Sequence, residues 1–450
     1  MHIRSLQVQG IKLFRDLELS FLDNDGAPRM WTVLLGENGL CKTTLLQCIA
    51  MAASGTTRAN QLADVLSLRS AEPAFLGPAG ESHIDAEFGF SRLSQQDRIY
   101  PQRDPHAPGD PVLRSTLLLQ QEWSEFIGGS TWDRDVLLSS SSVPSVDPLQ
   151  EARARNLQHW FVAGYGVSRR LPVPNSTLQR SDPAQDRPRS LFDSTYQLVG
   201  TDFISRFDSD AANRYVKLLK GVLVQTRLLP DVSNIELRGR GGVTRPEQFV
   251  ESHRFDVKVG ESTLRIPATW LSQGYQSVIA WIADLLGFFF LEGPDVESTH
   301  EYEGLVLVDE LDLHLHPAWQ RTLVEALRSA LPRVQFVATT HSPMVLAGLR
   351  EDEVVRLHRD HDGSVTAQPV DALPALMTGS ELYQTFFGIT DSFPNQVGRA
   401  LHRYEQLASN PFRSDAEEGE LQQVRAGLRA SGIEPQTEPE PRRDVPEVSL

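Results

Sequence analysis

Lys42 and Thr43 end the segment G-E-N-G-L-C-K-T (residues 36–43), which lies between an apolar run at 31–35 and a helical pattern of Leu45, Leu46 and Ile49. Strand, glycine-containing loop and helix, in that order, make a cradle for phosphate. Phosphate oxygens concentrate negative charge, which converging backbone N–H groups and a helix N-terminus stabilise. Gly36 and Gly39 let the backbone of Glu37, Asn38 and Leu40 come close to such a ligand. Lys42 would then reach the β/γ-phosphates, and the Thr43 hydroxyl, followed by Thr44 in the first helical turn, would ligate Mg²⁺. One position departs from the general pattern G-x-x-x-x-G-K-[ST]: Cys41 stands where glycine belongs. If that position needs glycine's backbone freedom, a Cβ costs about 1–2 kcal/mol or obstructs the phosphate. Slow turnover is the expected consequence.

Two further stretches end in polar groups suited to the same chemistry. G-L-V-L-V-D-E (304–310) is a hydrophobic strand that delivers two carboxylates at its C-terminal end. In a parallel α/β sheet that end faces the ligand crevice. Asp309 there can hold Mg²⁺, directly or through water, and Glu310 can polarise an attacking water. V-Q-F-V-A-T-T-H (334–341) is another strand, and it places His341 to sense a γ-phosphate. L-S-Q-G-Y-Q-S (271–277) opens an apolar helix, so Ser272 and Gly274 form an anion site at its N-terminus. Taken alone, that last pattern is equally that of an ordinary helix cap.

These residues need a scaffold. Residues 2–22 alternate at period two with a turn near Gly10, the pattern of a β-hairpin. Strands are expected at 83–90 and 158–166, an apolar run at 115–123, a helix over 211–229 and a hairpin over 254–266 turning at Gly260-Glu261. The last third alternates strand (304–309), helix (318–330) and strand (334–339), then a hairpin of 352–358 with 364–370 through Asp362-Gly363. That order predicts an α/β fold with a mostly parallel sheet and helices on both faces. Residues 278–291 are almost wholly apolar, but they are short for a membrane span and Asp284 sits in their middle; a buried helix is expected. Stretches rich in Ser, Gly and Pro at 55–115, 139–148 and 172–188 read as connections. The Pro/Glu/Arg-rich tail is expected to lack structure.

Composition narrows the class. The net charge of −16 over 450 residues argues against a broadly basic, sequence-blind DNA surface; Arg153, Arg155, Arg169 and Arg170 could form a local basic stripe, the plainer reading being scattered surface arginines. The only cysteines, Cys41 and Cys48, make no disulfide framework, and no N-terminal signal pattern is visible. A reducing cytoplasm, with no membrane association, is the expected location.

The four motifs, in this order, resemble the ATP-binding-cassette ATPase head of the SMC/RecF type: Walker A at 36–43, signature at 271–277, Walker B at 304–310 and a switch histidine at 341. D-E-L-D-L-H-L-H-P (309–317) and T-H-S-P (340–343) are similar to the ATPase subunit of Septu anti-phage systems and to the ATPase half of OLD-family nucleases. Y-Q-T-F-F-G-I (383–389) resembles a segment that follows the head in these ATPases. The resemblance implies a RecA-like, mostly parallel sheet, an N-terminal antiparallel β-layer and a helical lobe carrying the signature. It divides the chain into residues 1–54 (N-terminal hairpin and Walker A), 55–253 (variable insertion and helical lobe), 254–390 (signature, Walker B and switch histidine), 391–433 (helical segment) and 434–450 (tail). It also implies ATP and Mg²⁺ as ligands and a head-to-tail homodimer in which Ser272 and Gly274 meet the partner's γ-phosphate. A nuclease subunit is the implied partner, with nucleic acid reached through that complex.

The chain also departs from its relatives. Leu315-His316 stands where transporter ATPases have Leu-Asp, which argues against a transporter and puts His316 at the dimer seam; a metal pair of His314 and His316 is the lesser reading. No Q-loop glutamine can be placed, and the Gly164-Tyr165-Gly166 turn with Arg169 is a candidate lid near the nucleotide. Residues 371–450 are too few and too loop-like for a Toprim nuclease. Other readings are a nucleotide-gated scaffold with little hydrolysis, because of Cys41, and a RecF-like DNA-repair ATPase.

Overall fold

The computed structural model describes residues 1–78, 80–90, 112–120, 123–133, 147–155, 157, 160–171, 182–237, 253–293, 295–370, 372–387, 396–435 and 437–442. They divide into two compact units, Met1–Gly379 and Ser380–Leu450.

The first unit is built on a six-stranded sheet in the order Val365–Pro369, Val354–Arg359, Trp31–Leu35, Val334–Thr339, Gly304–Val308, Val162–Tyr165. Every neighbouring pair is parallel except the Val354–Arg359/Val365–Pro369 hairpin. The inner strands Trp31–Leu35, Gly304–Val308 and Val334–Thr339 are buried along their whole length, as strands covered on both faces must be. Their register is level at the C-terminal end: Thr339 pairs with Leu34, and Val308 pairs with both Ala338 and Tyr165. Four loops therefore leave the sheet side by side at one edge.

A second, five-stranded antiparallel sheet runs Leu17–Ser20, His2–Gln9, Ser82–Gly89, Leu113–Leu119, Ile127–Trp132. The N-terminal hairpin is thus the edge of a larger layer completed by strands from the 55–253 segment. The helix Lys42–Ser54 lies between the two sheets and joins their apolar faces in one core. Its C-terminal carbonyls are capped by a buried cation: Arg153 donates from Nε and Nη2 to Ala53 O (3.0 and 2.7 Å). Arg153 is only 2% exposed and Arg169 4%, so neither is the surface arginine that the sequence predicted; each is drawn inside by main-chain carbonyls it satisfies. Burial pulls the Arg153 pKa down to about 9, still above neutrality. It therefore remains a positive charge at the negative end of the helix dipole.

The apolar helix expected within 278–291 is Gln273–Glu292. It is long and apolar enough to cross a membrane, yet 83% of its apolar window is buried inside the protein. Its Asp284 accepts from Val199 N (2.6 Å), Gly200 N (3.2 Å) and Tyr165 Oη (3.3 Å), tying this helix to the 3₁₀ turn Gly200–Arg206 and to the edge strand of the central sheet. Tyr215 Oη, on the helix Ser209–Lys220, donates to Ala283 O at 2.8 Å. Phe203, Phe207, Phe288 and Phe290 pack around these contacts and complete the helical lobe. A three-stranded sheet, Ser262–Pro267, Arg254–Val259, Val232–Glu236, contains the hairpin at Gly260.

Other expectations changed in detail. Residues 139–146 and 172–181 of the expected connections lie outside the described residues, as do Gly388-Ile389 of the 383–389 segment. Residues 183–189, read as loop, form a helix, because Asp182 caps it through Ala184 N (3.1 Å) and Pro183 occupies the first turn. In the second unit, Gln396–Ala408 and Asp415–Ala430 pack through Tyr404, Leu407, Ala408, Leu421 and Leu428, and Ser414 with Glu417 forms a capping box. Part of the expected disordered tail is ordered against this pair. Tyr404 Oη donates to Thr437 O (2.9 Å), and Arg413, 4% exposed, donates to Glu440 O (2.9 Å), which the buried guanidinium needs as an acceptor. Residues 443–450 lie outside the described residues.

Replacing Asp284 with alanine orphans two buried N–H groups at once. A loss of about 2–4 kcal/mol in unfolding free energy is expected from urea denaturation, with Asp284→Asn losing less than half of that.

Candidate active site

The C-terminal ends of the four parallel strands Trp31–Leu35, Val334–Thr339, Gly304–Val308 and Val162–Tyr165 bring together residues far apart in sequence. After Leu35 the chain turns through Gly36–Cys41 and enters the helix at Lys42. Gly39 has φ 84°, and Cys41 has φ 56° and ψ 29°, a left-handed conformation in a residue that carries a Cβ. The loop thus keeps the turn that glycine would take at position 41, and the cysteine bears the strain.

Lys42 is buried, and its Nζ donates to Gly36 O (2.7 Å) and Glu37 O (2.9 Å). Burial lowers its pKa from the ordinary lysine value, and Asp309 and Glu310 work in the opposite direction. A phosphate oxygen is a charged acceptor and binds an ammonium more strongly than these neutral carbonyls do. Thr43 Oγ1 donates to Asp309 Oδ2 at 2.8 Å. The Thr44 hydroxyl has a different role from its neighbour's: it accepts from Lys12 Nζ (3.0 Å), leaving Thr44 to serve the site through its backbone in the first helical turn.

Asp309 is 5% exposed, and its other oxygen accepts from Thr339 Oγ1 at 2.6 Å. Thr339 Oγ1 in turn accepts from Glu310 N (2.7 Å), which holds the glutamate in a left-handed conformation with φ 47°. The next acidic residue, Asp312, accepts from Thr340 Oγ1 and from His341 N (3.3 Å). His341 itself is exposed at the end of its strand. Gln320 braces this turn by donating to Asp312 O (3.2 Å) and Leu315 O (2.9 Å), and it accepts from Ser342 Oγ (2.6 Å). From the edge strand, Arg169 Nη2 donates to Glu310 O at 2.6 Å.

Lys42, Thr43, Asp309, Glu310 and His341 therefore gather at the C-terminal ends of neighbouring strands beside the glycine loop, linked by bonds through Asp312, Thr339 and Arg169. Thr339 and Asp312 were not singled out in the sequence, although both sit inside motifs quoted from it. Ser272 and Gly274 are placed against another element. A Cβ on Gly274 would stand 2.5 Å from His314 O, so the signature helix presses its first turn onto the segment that follows Glu310. Ser272 is the exposed N-cap of that helix and its hydroxyl makes no capping bond. His316 caps the helix Pro317–Ala330, its Nδ1 accepting from Ala318 N (3.3 Å), and among the described residues no cluster of three or more potential ligands supports a metal pair with His314.

The Thr43 hydroxyl and the Asp309 carboxylate, in contact at the mouth of a phosphate loop, are hard oxygen donors of the kind Mg²⁺ takes alongside substrate phosphates. The residues present fit that ion.

Residues 31–347 match the family described as "AAA domain, putative AbiEii toxin, Type IV TA system". The chain belongs to this AAA-domain family. Among curated proteins, this AAA-family chain is 24% identical over 428 residues to the Septu protein PtuA of Bacillus mycoides; the match covers 95% of this chain and 50% of that protein, so the chain spans about half the length of this relative. It is 40% identical over 84 residues to the "Retron Vc95 probable ATPase" of Vibrio cholerae, 19% of this chain and 16% of that protein. Among solved structures, an SMC head bound to the C-winged helix domain of ScpA aligns over 84% of this chain and 100% of its own, with 15% identity and a TM-score of 0.47.

Relieving the strain at position 41 gives a direct check on the loop. Cys41→Gly is expected to raise unfolding free energy by about 1 kcal/mol in chemical denaturation. No change, or a loss, would contradict the left-handed geometry.

Proposed function

We propose that the chain binds and hydrolyses ATP with Mg²⁺, dimerises around the nucleotide and so controls a partner effector. The observation that supports this reading best is the 2.8 Å contact between Thr43 Oγ1 and Asp309 Oδ2, with Glu310 as the next residue. In this reading the N–H groups of Gly36–Cys41 and the first helical turn bind the β-phosphate, and Lys42 spans the β- and γ-phosphates. Thr43 and Asp309 hold the metal ion, which when bound offsets the charge on the β- and γ-oxygens. Glu310 accepts a proton from the attacking water as its oxygen bonds to the γ-phosphorus; the bond to the bridging oxygen breaks and ADP leaves with phosphate. His341 senses the γ-phosphate.

Ser272 and Gly274 complete the site of a second copy. The support is the exposed N-cap serine, whose hydroxyl makes no capping bond, and the close packing of Gly274 on the His314 carbonyl. ATP then acts as a two-sided adhesive, and hydrolysis lets the two copies part. The likeness to Septu and retron proteins supports a role in anti-phage defence, with a nuclease subunit as the effector in the cytoplasm and nucleic acid engaged through that complex. The alternative reading, a nucleotide-gated scaffold with little hydrolysis, rests on the strained left-handed Cys41, and the turnover measurement below separates the two.

The test is turnover and mass together. Glu310→Gln is expected to lower ATP hydrolysis by about 100-fold or more while retaining ATP binding, and to accumulate as a dimer in ATP by light scattering. Undiminished turnover in that variant, or a monomer at saturating ATP, would overturn the reading.

A further inference from the structure

Gln320 joins two segments that the proposed reaction needs in a fixed relation. It stands in the first turn of the helix Pro317–Ala330, where side chains lean back towards the helix N-terminus, and it is 8% exposed. A buried amide needs partners for both of its ends. The carbonyls of Asp312 and Leu315 can only accept, so Nε2 faces them (3.2 and 2.9 Å), and Oε1 is left for the hydroxyl of Ser342 (2.6 Å). One end of the side chain thus holds the turn that follows Glu310. The other holds the residue that follows His341.

These contacts belong to one closed network. The Ser342 hydroxyl accepts from Met344 N (3.1 Å), and Ser342 N donates to Thr340 Oγ1 (3.0 Å). Thr340 Oγ1 donates to the Asp312 carboxylate, which also accepts from His341 N (3.3 Å). Thr340 and His341 are therefore tied to the side chain of Asp312, Ser342 is tied to Gln320, and Gln320 is tied to the main chain of Asp312. His341 is exposed, and among the described residues no hydrogen bond holds its imidazole. Its place is set through the main chain on either side of it.

We infer that Gln320 is a positioning residue for His341: through Ser342 it fixes the histidine relative to the turn after Glu310, without itself meeting the nucleotide. This rests on the nucleotide reading above, in which His341 senses the γ-phosphate, and deepens it. Water activation by Glu310 and sensing by His341 then share one frame, set by a side chain that lies outside both motifs.

The test is a double-mutant cycle on the full chain, read by equilibrium binding with Mg²⁺. The quantity measured is the preference for the β,γ-imido analogue of ATP over ADP, in the wild type, Gln320→Met, His341→Ala and the pair, together with melting temperatures. Gln320→Met keeps the length of the side chain and removes both ends of the amide. The inference expects it to lower the preference by about fivefold, the size of one hydrogen bond, and by less than about twofold once His341 is alanine. A brace that only holds the fold would weaken both nucleotides alike and leave the preference unchanged. That result, or the same fivefold loss in both backgrounds, would overturn the inference. Ser342→Ala, which breaks the link at its other end and leaves the turn braced, must lower the preference as Gln320→Met does, and it takes that variant's place in the cycle if Gln320→Met does not fold. Unfolding of both would make the pair a structural strut and overturn the inference as well. A wild-type chain that binds neither nucleotide would instead refute the nucleotide reading itself.

Discussion

The Asp309 carboxylate is the point on which the site turns. It accepts from Thr43 on the phosphate-loop helix and from Thr339 on the neighbouring strand, so three elements meet on one buried negative charge. That charge tolerates 5% exposure because donors already surround it and Lys42 and Arg169 lie close by. Remove the ligand chemistry and the arrangement makes little sense as a source of stability: buried ion clusters rarely repay their desolvation. In the reading proposed above, its use is to keep oxygen donors and cations in place before a polyphosphate arrives.

Strain collects around the same point. Of the five non-glycine residues with positive φ among the described residues, Cys41, Glu310 and His314 (φ 56°, 47° and 64°) lie here, one in the phosphate loop and two in the turn after the strand Gly304–Val308; Lys12 and Arg227 lie elsewhere. Each of the three is held by its surroundings: the loop by the helix it starts, Glu310 by Thr339 and Arg169, and His314 by the close approach of Gly274. The scaffold behind them is buried and hydrogen-bonded. The loop helix lies between two sheets with Arg153 on its far end, and Asp284 fastens the signature helix to the strand that leads to Arg169. Strained residues at such a junction favour two discrete arrangements over gradual deformation.

Much of this was legible in the sequence. Apolar runs that stop abruptly at polar residues gave the inner strands and put Lys42, Asp309, Glu310 and His341 at one end of a sheet. The sequence left open whether position 41 needs glycine's backbone freedom, and Cys41 takes a left-handed conformation. Asp284 argued for a buried helix, and its three donors show why an acid belongs there. Other features were hidden for physical reasons. A buried arginine leaves no periodic signature, so Arg153 and Arg169 read as surface charge. The bonds from Thr339 to Asp309 and from Thr340 to Asp312 depend on strand register across about thirty residues, which composition does not encode. Asp182-Pro183 read as loop punctuation, although the same pair caps and starts a helix.

The central claim is that Thr43 and Asp309 meet in order to share a divalent cation with a bound triphosphate. The most direct measurement is the affinity for ATP with and without Mg²⁺, in the wild type and in Asp309→Asn. The account predicts that Mg²⁺ tightens ATP binding by about tenfold or more in the wild type and by less than about twofold in the variant. Equal tightening in both proteins would place the metal elsewhere and contradict it.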